Sequence, residues 1–373
     1  MGPLPLFARR DFPPPAHDKN AGGEGFAAGC DSKGVIVLYE SRKKPKRWLR
    51  YSLGALLALL VLSGAPARAV TPRTLVPVGH TVGVKLFSRG VVVVKLTEGG
   101  TPARSCGLRT GDVIVKCNGD AVSSSEQFQS LLQKSGGDET DLQIRRNGGS
   151  MTLSVEPEQN DQGLYCIGAW IRDSMAGIGT VTFYDPETGV FGALGHGVAD
   201  ADTAQLMPFS NGSILPSTVK AVKKGEPGAA GELRGDFDTT QDLGVLYANT
   251  ASGIFGTAAE DRFSPAGALP VGEAQTGPAQ ILANVQGDKV AAYDIEILKT
   301  VSGAEDGRDM VLAVTDPDLI AVTGGIVQGM SGSPIIQEGR LVGAVTHVLV
   351  NQPEKGYGIS IGNMLNAAGL AGE

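Results

Sequence analysis

From about residue 74 onward, short apolar runs alternate with glycine, proline and asparagine breaks, the pattern of many short strands rather than of a helical bundle. Val82-Gly83-Val84-Lys85-Leu86 and Val91-Val92-Val93-Val94 read as strands, the second bounded by Gly90 and Gly99-Gly100. Beyond them, Asn118-Gly119 marks a turn, Ser125 to Lys134 has helical spacing, and two strands surround Asn147-Gly148. The polar stretch Glu156 to Gln162 then reads as a linker to a second unit that begins near Leu164. In that unit Ile178 to Tyr184, a turn at Asp185 to Gly189 and the run Phe191 to Gly195 predict a hairpin that ends at His196. Asp242 to Tyr247 and Ile281 to Val285 are further short strands. Ile335 to Val345 alternates as another hairpin, and only about the last ten residues, from Gly362, look helical. An all-β fold with a pair of six-stranded barrels, and a site between them, packs these elements most economically.

The N-terminal end differs. Residues 1–40 are polar, rich in proline and glycine and without period, like a disordered tail or sequence upstream of the true start. Arg42, Lys43, Lys44, Lys46, Arg47 and Arg50 then precede the apolar run Tyr51 to Ser63, and Ala67-Arg68-Ala69 has the small-x-small form of a cleavage site. Residues 41–70 therefore predict a basic flank followed by an export signal or anchor, with everything after it outside the cytoplasm.

Composition narrows the chemistry. The 53 glycines, 21 prolines and 5% aromatic residues agree with many turns and short strands. From residue 51 onward 22 Lys/Arg face 34 Asp/Glu, a net of -12; an acidic body has no broad phosphate-binding surface, so nucleic acid is not an expected partner. Cys30, Cys106, Cys117 and Cys166 lack metal-ligand spacing, and no H-x-x-x-H or C-x-x-C pair occurs. No metal or cofactor is expected.

The stretch Thr323 to His347 holds the strongest candidate chemistry. Its turn Gly329-Met330-Ser331-Gly332-Ser333-Pro334 sets a serine among small residues, where a scissile carbonyl can approach the backbone and the amides of Gly329 and Ser331 can converge on a developing oxyanion. The turn resembles the G-x-S-G-G-P nucleophile loop of chymotrypsin-like serine proteases, which selects Ser331 over Ser333. A serine hydroxyl needs a base near neutrality, and the chain has only four histidines, at 17, 80, 196 and 347. His196, delivered by a strand into a glycine turn, is the better base candidate; His347 reads as a semi-buried strand-end residue. For the acid, Asp200, Asp202, Asp242, Asp316 and Asp318 stay open, with spacing favouring Asp242.

Two longer resemblances cover most of the chain. Residues 74–157 resemble the circularly arranged PDZ domain of exported proteases, through the series Thr101-Pro102-Ala103, Cys106-Gly107-Leu108 and Gly111-Asp112. The resemblance implies a groove in which a peptide adds as a strand between the Val82-Gly83-Val84 edge and the helix from Ser125. The runs FYDPETGVFGALGHGVADADT, VTDPDLIAVTGGIVQGMSGSPII and LVGAVTHVLVNQPEKGYGISI resemble the SpoIVB peptidase family of endospore-forming bacteria, with the peptidase domain at 164–373. That resemblance implies His196 as base, Asp316 as acid and Ser331 as nucleophile. It also implies export from the forespore into the space between the two membranes and cleavage of a membrane-anchored regulatory protein that leads to sigma-factor activation. Cleavage of the protein's own N-terminal region belongs to the same expectation. Two competing readings are a non-catalytic PDZ-bearing scaffold with a degenerate protease fold, and an esterase sharing the triad.

Overall fold

A computed structural model describes residues 73–301 and 307–370. The expected tail, basic flank, signal segment and cleavage site, and Cys30, lie outside those residues. β1 (Thr74–Pro77) and the 16-residue β2 (Thr81–Leu96) lead into α1 (Pro102–Ser105), β3 (Val113–Cys117), β4 (Asp120–Ala121), α2 (Ser125–Ser135), β5 (Thr140–Arg146) and β6 (Gly149–Val155). A small ladder of β7 (Glu158–Gln159) and β8 (Tyr165–Cys166) precedes a second 16-residue strand, β9 (Ala169–Tyr184). Then come β10 (Val190–Ala193), β11 (Phe209–Lys223), β12 (Glu232–Phe237), β13 (Gly244–Thr250), β14 (Gly253–Ala258) and β15 (Leu269–Pro270).

The pairings β9-β10-β14-β13-β11-β2 return to β9, which closes a ring of six strands. Its interior is filled by Val82, Val84, Val181, Phe191, Ala193, Ile214, Leu246 and Ile254. A second closed barrel follows, in the order β16 (Gly277–Gln286), β17 (Lys289–Thr300), β18 (Met310–Val314), β21 (Gln352–Ser360), β20 (Arg340–Leu349), β19 (Pro334–Gln337). Two short helices belong to this half, α3 (Pro317–Thr323) and α4 (Ile361–Ala367). The expected barrel pair is therefore present, and α4 sits where the C-terminal helix was expected. α3 was not foreseen, although Asp316-Pro317 is a helix-start signature: the aspartate caps and the proline occupies the first turn. Among the described residues no helix is long and apolar enough to cross a membrane.

The PDZ-like unit has its own core, around Val91, Val93, Ile114, Phe128, Leu132, Leu142 and Ile144. α2 is built as its sequence predicts: Ser124 caps it by accepting from Gln127 N, and Gly136 ends it at φ 65°. Arg146 grips the buried Asp112 with both Nε (2.7 Å) and Nη2 (2.6 Å), and Asp112 also accepts from Arg109 N. Two of its strands are shared with the first barrel, however. β2 runs from the first barrel (Thr81 to Phe87) into the PDZ-like sheet (Val91 to Leu96), and β9 returns alongside it from Ala169 to Thr180. The polar stretch 156–162 carries β7, which pairs with β8.

That sharing overturns the expected peptide edge. Val82, Gly83 and Val84 pair with Gly179, Ile178 and Gly177 of β9 on one side. On the other they pair with Pro216, Leu215 and Ile214 of β11. Both rows of backbone groups are in use, so no peptide strand can add there. The apolar stretch that reads as an exposed PDZ edge is a central strand of the first barrel.

Candidate active site

The nucleophile loop and the histidine loop meet across β9. Ser331 O accepts from Thr180 N (2.9 Å), and the buried Thr180 hydroxyl donates to Gly329 O (2.7 Å). Thr180 O in turn accepts from Leu194 N (3.1 Å), two residues before His196. One residue of β9 thus ties together the two loops that carry the candidate base and nucleophile. The close approach explains two glycines. A Cβ on Gly332 (φ 99°) would lie 2.0 Å from Thr180 O, and one on Gly195 (φ 67°) 2.9 Å from the Thr346 methyl.

His196, Ser331 and Gly329 line one cleft of about 370 Å³, which β9 residues Met175 to Ile178 also line. His196 is half-buried, and its Nδ1 lies 2.9 Å from Gly197 O. A carbonyl oxygen only accepts, so this contact places the ring proton on Nδ1 and leaves Nε2 as the basic nitrogen. Burial pushes the imidazole pKa below its usual 6.5 and outweighs the raising effect of the Gly197 carbonyl. The His347 ring tilts against His196, with centroids 5.0 Å apart, so this strand residue forms one wall of the imidazole's pocket. Ser331 Oγ donates to Thr346 O at 2.7 Å in this state. Rotation about its χ1 is what would turn the hydroxyl from that carbonyl towards the imidazole.

The backbone before Ser331 orients one candidate oxyanion donor, the Gly329 amide. Gln328 O accepts from Leu233 N (2.8 Å), which turns the 328–329 carbonyl towards β12; in a trans peptide the Gly329 N–H then points the opposite way. Ser333, the rejected alternative, is fully buried, and Val345 N donates to its carbonyl (2.9 Å).

The five aspartates separate clearly. Asp200 and Asp202 both pair with Arg172 of β9, the second at 2.9 Å. Burial alone would raise the Asp200 pKa, but the Thr203 amide and the Arg172 guanidinium hold it below the usual range. Asp242 is exposed just before β13, and Asp318 is exposed in the first turn of α3. Asp316 caps α3: Oδ1 accepts from Asp318 N (3.0 Å) and Leu319 N (2.9 Å), and Oδ2 from Asp294 N (3.3 Å). The structure therefore brings His196, Ser331 and Gly329 to one cleft, with Asp316 placed instead at a helix end in the second barrel. Among the described residues no group of three or more His, Cys, Asp or Glu is placed to hold a metal ion.

Sequence reasoning missed three residues here. Thr180 and Thr346 act through backbone and hydroxyl contacts that leave no mark in the pattern of residue types. Asn249 fixes the stretch after His196: its carboxamide accepts from Val198 N (2.8 Å) and donates to Val198 O (2.9 Å) and Met207 O (3.1 Å). An asparagine near a strand end reads as a turn residue unless its partner is known.

Residues 163–365 match the profile of the SpoIVB peptidase S55 family, and residues 77–156 that of the PDZ domain. Among curated proteins, the chain is 40% identical over 66 residues to the serine protease Do-like HtrB of Bacillus subtilis, covering 17% of this chain and 14% of that one. It is 39% identical over 57 residues to the zinc metalloprotease RasP of Oceanobacillus iheyensis, covering 15% and 13%. The chain spans about a fifth or less of the length of the curated relatives it matches. Among solved structures, the active form of the Rv3671c protease from Mycobacterium tuberculosis aligns over 53% of this chain and 76% of its own, at 16% identity and TM-score 0.30. The PDZ domain of an SdrC-like protein from Listeria monocytogenes aligns over 22% and 87%, at 24% identity and TM-score 0.21. The barrel pair rests on the strand pairings described above rather than on these distant alignments.

Proposed function

The chain belongs to the SpoIVB peptidase S55 family, and from that premise we propose that it is a serine endopeptidase with Ser331 as nucleophile and His196 as general base. The observation that carries the residue assignment is the single cleft lined by Ser331, His196 and Gly329, at the junction that Thr180 organises. In the acylation step, Ser331 Oγ leaves the Thr346 carbonyl, gives its proton to His196 Nε2 and attacks the scissile carbonyl. The amides of Gly329 and Ser331 receive the oxyanion, and the imidazolium returns the proton to the leaving amine. Gly197 O, on the far side of the ring, fixes the tautomer and accepts from the Nδ1–H of the imidazolium. Treating the full chain with a fluorophosphonate and locating the adduct tests the reading: modification of Ser331 supports it, and a chain that stays unmodified favours the scaffold.

The biological setting is the family's. The chain acts after export from the forespore, in the space between the two membranes, on a membrane-anchored regulatory protein and on its own N-terminal region. Family membership supports this setting, and so does the basic flank followed by an apolar run at residues 41–70. A reporter fused after residue 70 and active only when translocated is the direct check.

The depressed His196 pKa has a kinetic consequence. The base must be neutral to accept the serine proton, and burial keeps it neutral to lower pH. The acid limb of the kcat/KM profile is therefore expected below pH 6.5; a limb above that value would assign the titration to another group.

Asp316 is the acid implied by family resemblance, yet both its oxygens are engaged at α3 and Asp294. In Asp316→Asn one oxygen becomes an NH2 group, which sets a donor against either the helix-start amides or the Asp294 amide. The expected result is a stability loss of about 1–3 kcal/mol with turnover falling in step with the folded fraction. Thermal melting and turnover on the same preparation decide: turnover lost by powers of ten in a normally melting protein would return the acid's role to Asp316.

A further inference from the structure

The proposed peptidase cleft has one open strand edge and one acidic group. β9 pairs with β2 along Met175 to Gly179, and no pairing of its other edge occurs there among the described residues. Ala176 and Gly177 are exposed, and a Cβ on Gly177 would meet nothing within 4 Å. This edge lies in the same cleft as Ser331, so an extended chain can add to it as a strand while its carbonyl faces the nucleophile.

Most of the side chains around that strand site are apolar. Glu232 is the only Asp, Glu, Lys or Arg among the cleft's lining residues. Its place is set by backbone: Glu232 bridges to Gln328 in parallel, Leu233 N donates to Gln328 O, and Gln328 N donates to Gly231 O. Glu232 therefore stands beside the peptide that supplies the Gly329 amide, three residues from Ser331, and it lines the cleft. Arg234 Nε contacts Glu232 Oε2 at 3.2 Å, but Arg234 does not line the cleft and its side chain is 63% exposed. An exposed pair of this kind is weak and screened by salt, so a cation bound within the cleft competes for the same carboxylate.

We infer that Glu232 selects an extended polypeptide carrying a lysine or arginine within about two residues of the scissile bond, flanked by small or apolar residues, a spacing that follows from the ~3.3 Å rise per strand residue. The inference rests on the serine peptidase reading. Ahead of the two barrels this chain contains a segment of the required kind, Ala65-Pro66-Ala67-Arg68-Ala69-Val70, whose single cation is bracketed by small residues. The acidic body attracts such a segment at long range, and Glu232 discriminates at short range.

A peptide spanning residues 61–72 of the sequence tests this, in three versions: with Arg68, with Arg68→Gln and with Arg68→Glu. Occupancy is read on the full chain as the peptide concentration that halves the rate of fluorophosphonate modification of Ser331, which needs no assumption about cleavage. The Arg68 peptide is expected to protect about tenfold or more better than the glutamine version, and the glutamate version worst. Glu232→Gln should level the first two, Glu232→Lys should reverse the order, and Arg234→Ala should widen the preference for Arg68 by freeing the carboxylate. Equal protection by all three peptides in the wild type, or no protection by any, overturns the charge selection while leaving the nucleophile assignment intact. A chain in which Ser331 is not modified at all overturns the peptidase reading first.

Discussion

Ser331→Ala is expected to reduce peptide hydrolysis by several powers of ten while leaving the protein folded. The magnitude follows from the route: without an acyl-enzyme, only binding and oxyanion stabilisation remain, and in triad hydrolases the loss of the nucleophile removes most of the rate. The fold survives because Ser331 Oγ makes one hydrogen bond, to Thr346 O. The loop is held by backbone instead, through Gly332 N to Val345 O (2.7 Å) and Thr180 N to Ser331 O (2.9 Å). Ser333 cannot take over: it is fully buried behind Gly332, with no path to a substrate carbonyl. Turnover and thermal melting of the variant are the measurements. Activity within tenfold of the wild type in a cooperatively melting variant would remove Ser331 from the chemistry.

The candidate nucleophile and base could be picked out in the sequence because their setting is local. A serine in a run of glycines and a histidine between two glycines are turn signals written in four to six residues, and the chain holds few histidines. The Asn147-Gly148 turn was legible for the same reason: both residues have positive φ, as a two-residue hairpin requires. What stayed hidden is non-local. Ser88-Arg89-Gly90 looks like a break between two strands, and Gly90 does adopt φ 97°. Yet β2 continues through that irregularity because β9, 80 and more residues away, follows it on both sides of the bulge. The same blindness turned Val82-Gly83-Val84 into an exposed edge, since alternation cannot say whether a strand has one neighbour or two. Asp316 was open to better reading from its neighbour Pro317; three-dimensional placement was needed to show that its second oxygen reaches Asp294.

Two ways of removing the PDZ-like unit are expected to give opposite results. Deleting residues 78–155, the cut that composition invites, removes β2, which stands between β9 and β11 in the first barrel. Val82, Val84 and Leu86 alone are almost fully buried, worth roughly 5–9 kcal/mol at ~1.5–3 kcal/mol per side chain. That is comparable with the ~5–15 kcal/mol net stability of a whole domain, and the lost strand also strands the ladder groups of both neighbours. This variant should show no cooperative melting, and its Ser331 should not react with a fluorophosphonate. The register offers a different cut. Phe87 pairs with Ser174 across the antiparallel β2 and β9, so the PDZ-like unit is an insertion in a hairpin, and an Asn-Gly turn joining Phe87 to Ser174 would close it. The shortened protein should fold and retain Ser331 reactivity at a reduced rate. Its losses include the packing of Val92 and Val113 on Met207 and Leu86, the Arg89 N–H bond to Pro208 O (2.9 Å), and the Arg172 pairs that hold Asp200 and Asp202 beyond His196. Cooperative melting with normal labelling in the 78–155 deletion would show that β2 is dispensable, and the hairpin-insertion architecture would then be wrong.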